Sequence, residues 1–341
     1  MKIVHYLPYS KPFPVRGYGG GERIAYWLGK AQAELGHQVT YLCKKVSQVP
    51  ISFAKVIEIS ENFDDLNPFI PEVTDIVQLY GTPDFKIDYP FLVRIGGNGA
   101  EGETYLPNTI FLSASHAANH NWTEYVHNGL DLAEYPLKKE KQDYLFYLAK
   151  AAWIVKNLPG AIKIANRAKI TLEIGGGKAP FWSKNVISHG TVDGEKKLKL
   201  LQNARALLFP IIWDEPFGIV SIEALACGTP VIATPRGSLP EIVDSSCGVL
   251  ADSFEELVEA VSKAKYFDPE ACRNRVEAKF NHIYMAEKYL NYYSKILENG
   301  SIRAGNPIAK GRPRKRIYYR QPREHSVSNF LEALYVKEYF K

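Results

Sequence analysis

Glu215 and Glu223 stand eight residues apart in WDEPFGIVSIEALACGTP (213–230), and between them runs Phe217-Gly218-Ile219-Val220. The run LLFPIIWDE ahead of the first carboxylate is short and apolar, as a buried strand is. IVSIEALA behind the glycine has helical character and stops at Gly228 and Pro230. Gly218 therefore falls at a strand-to-helix turn, and in parallel α/β sheets ligands bind at that edge. The free N–H groups of Gly218, Ile219 and Val220, with the helix dipole behind them, suit a phosphate. A side chain at Gly218 would keep that phosphate away. Glu223, in the first turns of the helix, is placed to accept two hydroxyls of a ribose, and Glu215 to reach the group beyond the phosphates. The competing reading makes both glutamates ordinary helix-start and surface carboxylates, and a lone E-x7-E would carry no more than that.

The elements that must position these residues alternate. Lys2–Leu7, Val39–Cys43, Asp75–Tyr80, Phe91–Ile95 and Thr109–Ser113 read as buried strands, and Gly21–Leu35 as a helix closed by Gly36. Turn residues and a proline in NGLDLAEYPL (128–137) mark a boundary. Beyond it the pattern repeats. DYLFYL (143–148) and KITLEI (169–174) are strands, Asn157–Arg167 is a helix, and Asp193–Ala204 is a helix with Asp193 as N-cap. ALLFP and PVIA flank the glutamate block, and Asp252–Lys263 and Arg273–Leu297 supply closing helices. Apolar strands alternating with helices predict parallel sheets covered on both faces. The reading is an α/β protein of two Rossmann-like domains, 1–136 and 137–300, with 301–341 as a basic extension.

Composition narrows the function classes. A chain of 341 residues has room for two ordinary domains. The N-terminal apolar run is too short for a signal peptide, and no stretch approaches the roughly 18 apolar residues of a membrane span. Cys43, Cys227, Cys247 and Cys272 are scattered without CxxC spacing, which points away from zinc and from a disulfide framework. A reduced, cytoplasmic enzyme without a metal is the expectation. The net charge of +5 is local: eight Lys/Arg and no acid lie between Arg303 and Arg323, and the remainder is net −3.

With the glutamate block, YGGGERIAYWLGKAQAELGHQVTYL (18–42), YVHNGLDLAEYPL (125–137), NARALLFP (203–210) and GSLPEIV (237–243), the chain resembles the family-4 retaining glycosyltransferases. The resemblance runs from residue 1 to about 298 and implies a GT-B fold, its two domains facing a cleft with 1–136 on the acceptor side and 137–300 binding the nucleotide sugar. It also implies transfer of a sugar from a UDP- or GDP-sugar, as co-substrate rather than cofactor, to a hydroxyl acceptor of the glycan or lipid-linked class. By the same resemblance Glu215 contacts the donor sugar, Glu223 the ribose, and Gly218, Ile219 and Val220 the diphosphate. In YLAKAAWIVKN, Lys150 and Lys156 fall where the family places an arginine and a lysine against the leaving diphosphate; there cations offset charge that develops in the transition state. Two solvated loop lysines are the competing reading. The family pathway lets the leaving phosphate take the acceptor's proton, so no general base is assigned. Gly20, Gly21 and Glu22 open the first-domain helix, with the two glycines set to approach donor or acceptor and a plain turn as the rival reading. The family's histidine after the strand PFLVRI is replaced at Gly96, with Arg94 or Asn98 to take over its contacts. His116 and His120 read as structural or surface residues.

Two further classes stay open. A sugar-nucleotide epimerase or a phosphorylase-type enzyme uses the same halves, though no lysine-centred cofactor motif is present; an inactive sugar-nucleotide-binding module would also account for Gly96, Ala149 and Lys150. The segment 303–323 offers Lys310, Arg312, Arg314, Lys315 and Arg316 to a polyanion. Its Gly-Arg-Pro core resembles an AT-hook, which lays arginines into narrow A·T-rich minor grooves. On that reading the acceptor is a hydroxylated base in DNA, flipped into the cleft. The blander reading is a solvated tail or one on an anionic membrane surface, followed by a short amphipathic helix at 329–340.

Overall fold

The computed structural model describes residues 1–15, 19–60, 62–179 and 183–310. They divide into two compact units, 1–134 with 277–310, and 135–276.

The first unit carries β1 (Lys2–Leu7), α1 (Gly20–Glu34), β2 (Gln38–Cys43), β3 (Ala54–Glu58), β4 (Ile76–Leu79), β5 (Phe91–Arg94), β6 (Thr109–Ile110) and α2 (Ala114–Ala118). Its sheet is parallel in the order β3-β2-β1-β4-β5-β6. Ile3, Val4, Leu42, Val77, Leu79, Leu92 and Val93 are fully buried, so the strands present apolar side chains to both faces.

The second unit begins with β7 (Tyr144–Leu148), α3 (Leu158–Arg167), β8 (Thr171–Gly175), β9 (Val186–Ser188), α4 (Gly194–Asn203), β10 (Ala206–Phe209) and α5 (Ile219–Ala226). It continues through β11 (Val231–Ala233), α6 (Leu239–Ile242), β12 (Gly248–Leu250), α7 (Phe254–Lys263) and α8 (Pro269–Lys279). The order β12-β11-β10-β7-β8-β9 repeats the strand order of the first sheet. In each the first strand lies beside the fourth, and connections leave that pair in opposite directions. A crevice opens there at the carboxyl edge.

The closing helix corrects the sequence reading. α9 (His282–Asn299) belongs to the first unit, not to the second as its place in the chain suggests. Met285, Tyr289, Tyr293 and Ile296 form its buried stripe, and burying each contributes about 1.5–3 kcal/mol. Tyr293 donates to Gln78 Oε1 at 2.9 Å and takes a bond from Gln32 Nε2 at 3.2 Å, tying α9 to β4 and α1. Residues 301–310, expected as the start of a free tail, also pack on this unit. Ile308 bridges Thr104, Ala309 is buried, and the Lys310 amide donates to Asn119. Arg312, Arg314, Lys315, Arg316 and the helix expected at 329–340 lie outside the described residues. Asp193 stands at the N-cap of α4, but its side chain makes no capping bond. Among the described residues no helix is long and apolar enough to cross a membrane.

Candidate functional site

In the second unit the loops after β7 and β10 flank the point where strand order reverses. The β7 loop is pinned on both sides. Ala149 and Ala151 donate to the carbonyls of Gly175 and Gly176 at 3.2 and 3.0 Å. Gly176 has φ +97°, and a Cβ there would collide with the Ala149 carbonyl, so only glycine serves. Further on, Asn157 adopts a left-handed conformation at the N-cap of α3. Its Oδ1 accepts from the Gly160 amide, and its Nδ2 donates to the Pro210 carbonyl at 2.8 Å. Lys156, one residue earlier, is thereby fixed against the end of β10.

Lys156 Nζ donates to Glu215 Oε2 at 2.5 Å, with both side chains about nine-tenths buried. Trp213 Nε1 donates to the same oxygen at 2.7 Å. The ammonium also lies 4.7 Å from the Trp213 ring centroid and 5.3 Å from that of Phe209, within cation–π range. Two donors lock Oε2, and neither reaches Oε1. The backbone of Glu215 is held as firmly. Its carbonyl accepts from Ser238 at 2.9 Å, and Gly237, at φ +60°, leaves no room for a Cβ against it. Lys150 does not share this environment: it is exposed, 4.6 Å from the centroid of the exposed Trp153 ring.

Gly218 caps α5 at φ +77°. The reason for glycine differs from the one drawn from the sequence. A Cβ here would meet its neighbours at 3.3–3.6 Å, which is tolerable, whereas the left-handed backbone is not. Ile219 and Val220 form the first turn, where amide hydrogens have no acceptor within the helix. Ser221 follows with a fully buried hydroxyl that has no partner among the described residues. Glu223 Oε1 receives both the Tyr135 hydroxyl at 2.5 Å and Lys197 Nζ at 2.6 Å. Neither Lys197 nor Tyr135 was singled out in the sequence. In GEKKLK the lysine looks like one charge of a solvated face, and only the fold turns it inward, to 11% side-chain exposure.

In the first unit Gly20, Gly21 and Glu22 form the start of α1. A Cβ at Gly21 would strike the Tyr9 hydroxyl, so this glycine admits a tyrosine rather than leaving open space. Glu22 is 8% exposed and Arg94 5%. Gly96 is exposed with ordinary backbone geometry, and a Cβ there would sit 3.6 Å from Arg94 Nη1. A side chain would fit at Gly96, so its absence is a property of this sequence and not of the backbone. Asn98 is half-buried in the same loop. His116 and His120 are structural. His116 Nδ1 accepts from the Leu112 amide and Nε2 donates to the Gly97 carbonyl at 2.9 Å, while His120 stacks on Phe111 at 4.1 Å.

Two parallel-sheet Rossmann-like units of matching strand order in one chain define a GT-B fold. Residues 136–280 match the family described as glycosyl transferases group 1, and the second unit belongs to that family. Of the solved structures, AviGT4, described as a glycosyltransferase involved in avilamycin A biosynthesis, superposes with a TM-score of 0.73 at 21% identity. The match covers 87% of this chain and 98% of that one. Anabaena HepE in complex with UDP-glucose superposes at 0.60 and 14% identity over 86% and 100% of the two chains. An uncharacterised 41.2 kDa protein of the Klebsiella pneumoniae cps region is 31% identical over 148 residues, which are 40% of this chain and 41% of that protein. The match thus spans about two fifths of that relative's length.

Proposed function

We propose that the protein transfers a sugar from a nucleoside-diphosphate sugar to a hydroxyl acceptor, with retention of anomeric configuration. The observation that carries this reading is Glu215: a nearly buried carboxylate with Oε2 saturated by Lys156 and Trp213 and Oε1 left to accept from a ligand's hydroxyls. Beside it the first turn of α5 offers unpaired amides to a diphosphate, and Glu223 stands one turn further as acceptor for the ribose. The nucleotide of HepE, a fold neighbour, makes a UDP-sugar the first donor to test.

In this account the ring hydroxyls of the donor bind Glu215 Oε1, and the diphosphate binds the amides of Ile219 and Val220. As the anomeric carbon–oxygen bond breaks, negative charge grows on the leaving phosphate. Lys156, already 2.5 Å from Glu215, lies next to the sugar and offsets that charge, with the exposed Lys150 as the outer cation. The acceptor hydroxyl attacks on the face the phosphate leaves, and its proton passes to a phosphate oxygen. The protein therefore binds, orients and stabilises charge without a general base.

The test is a screen of UDP- and GDP-sugars against the full chain, reading nucleotide release and, by proton NMR, the anomer of the sugar product. Release from one donor class with retained configuration is expected. Binding without release from any donor would make the chain an inactive binding module, and an inverted anomer would overturn the mechanism.

A further inference from the structure

The first unit buries a cation, Arg94, beside the crevice of its sheet. Arg94 ends β5 at the carboxyl edge of the sheet, is 5% exposed, and has no carboxylate within ion-pair distance among the described residues. Its Nη2 donates to Asn128 Oδ1 at 3.0 Å, and the guanidinium lies 5.8 Å from the centroid of the Tyr80 ring. Nε has no partner. Asn128 Nδ2, on the amide that anchors Arg94, has none either, and both side chains are more than nine-tenths buried. The Tyr289 phenol of α9 lies within reach of the guanidinium, whose charge and hydrogen bonding partly offset the upward pull of burial on its pKa.

An unpaired charge buried in protein is strongly destabilising. A tyrosine face and one neutral amide acceptor recover only part of that. The remainder calls for an anion. Nη1 points the way in, since it stands beside the exposed Gly96. The position is that of a ligand site as well: Tyr9 follows β1, Tyr80 follows β4, and Arg94 ends β5, around the reversal of strand order in this sheet. Glu22 is 8% exposed at the start of α1, and the Tyr9 phenol senses both its carboxylate and Arg94.

We propose that the acceptor is an acidic sugar whose carboxylate or phosphate seats on Arg94, with Asn128 Nδ2 and the Tyr289 hydroxyl as further donors and Glu22 accepting from its hydroxyls. This rests on the transferase reading above and deepens it. Arginine suits the task because its fork meets two oxygens of either anion.

The experiment is calorimetric titration of the full chain with methyl glucuronide, glucose 6-phosphate and neutral methyl glucoside, each repeated with Arg94→Gln and Arg94→Lys. The acidic probes should bind at least tenfold more tightly than the glucoside. Arg94→Gln should abolish that preference and Arg94→Lys keep part of it. Which acid binds better tells carboxylate from phosphate. Equal binding of acidic and neutral sugars by the parent protein, or a preference that survives Arg94→Gln, overturns the proposal. UDP titrated into the same preparation separates the two readings. UDP binding without acid preference sinks this inference alone, whereas absent UDP binding sinks the donor reading and leaves the acid preference to judge Arg94.

Discussion

Replacing Lys156 by methionine removes the charge while keeping much of the volume, and it strands Glu215. The carboxylate is 10% exposed and keeps only Trp213 as a side-chain donor, at 2.7 Å on Oε2. Breaking one side of a buried pair costs about 3–5 kcal/mol. The tenth of each side chain that reaches solvent relieves part of this, so a loss of about 2–4 kcal/mol is expected for Lys156→Met. Glu215→Gln, which leaves the ammonium against the rings of Phe209 and Trp213, should cost somewhat less. The double variant should fall short of the sum by about 1–3 kcal/mol, the coupling typical of directly contacting groups. Urea unfolding of the four proteins gives the cycle. Repeating it at low and high salt tests burial, because a buried pair is little screened. Single variants within about 0.5 kcal/mol of the parent would refute the argument, since that is the ordinary range of exposed substitutions.

Gly218→Ala should lose about 1–2 kcal/mol in thermal unfolding, the cost of a left-handed alanine at φ +77°; no loss would mean that α5 starts otherwise. Burial lowers His5 from 6.5 to about 4, against a smaller opposing pull from its bond to Gln32. The unfolded chain therefore takes the proton first, so this contribution is full above about pH 6.5 and is lost as pH falls toward 4, by up to about 3 kcal/mol. His5→Gln should flatten the stability profile across that window, and an unchanged profile would contradict the assignment. Lys197→Leu should weaken UDP binding by about 1 kcal/mol, because Lys197 orients Glu223 through Oε1; tighter binding in calorimetry would show instead that it competes with the ribose.

Much of the scaffold was legible because strands buried on both faces are continuous apolar runs, as in YLFYL of β7. β3 escaped because no residue of AKVIE is fully buried, and β12 because three residues carry no period. The stripe of α9 announced burial but not against which sheet; Gln32 and Gln78, far away in sequence, decide that. At the candidate site, the place of Gly218 at the head of α5, with Glu215 before it and Glu223 within it, was readable from one segment. The ion pair of Glu215 with Lys156 was not, since 59 residues separate them and only the adjacency of β7 and β10 joins them. The same holds for Lys197 on Glu223 and for the missing counter-ion of Arg94. A sequence shows charges but not their partners.

The division of labour between the two glutamates is the centre of the account, and one calorimetric comparison tests it most directly. UDP and a turned-over UDP-sugar are titrated into the parent chain, Glu223→Gln and Glu215→Gln. Glu223→Gln should weaken both ligands by a similar factor, about 1–3 kcal/mol for a lost charged acceptor. Glu215→Gln should leave UDP unchanged and weaken only the sugar-bearing ligand. UDP affinity that is indifferent to Glu223, or that falls equally in both variants, would contradict the assignment of ribose to one carboxylate and sugar to the other.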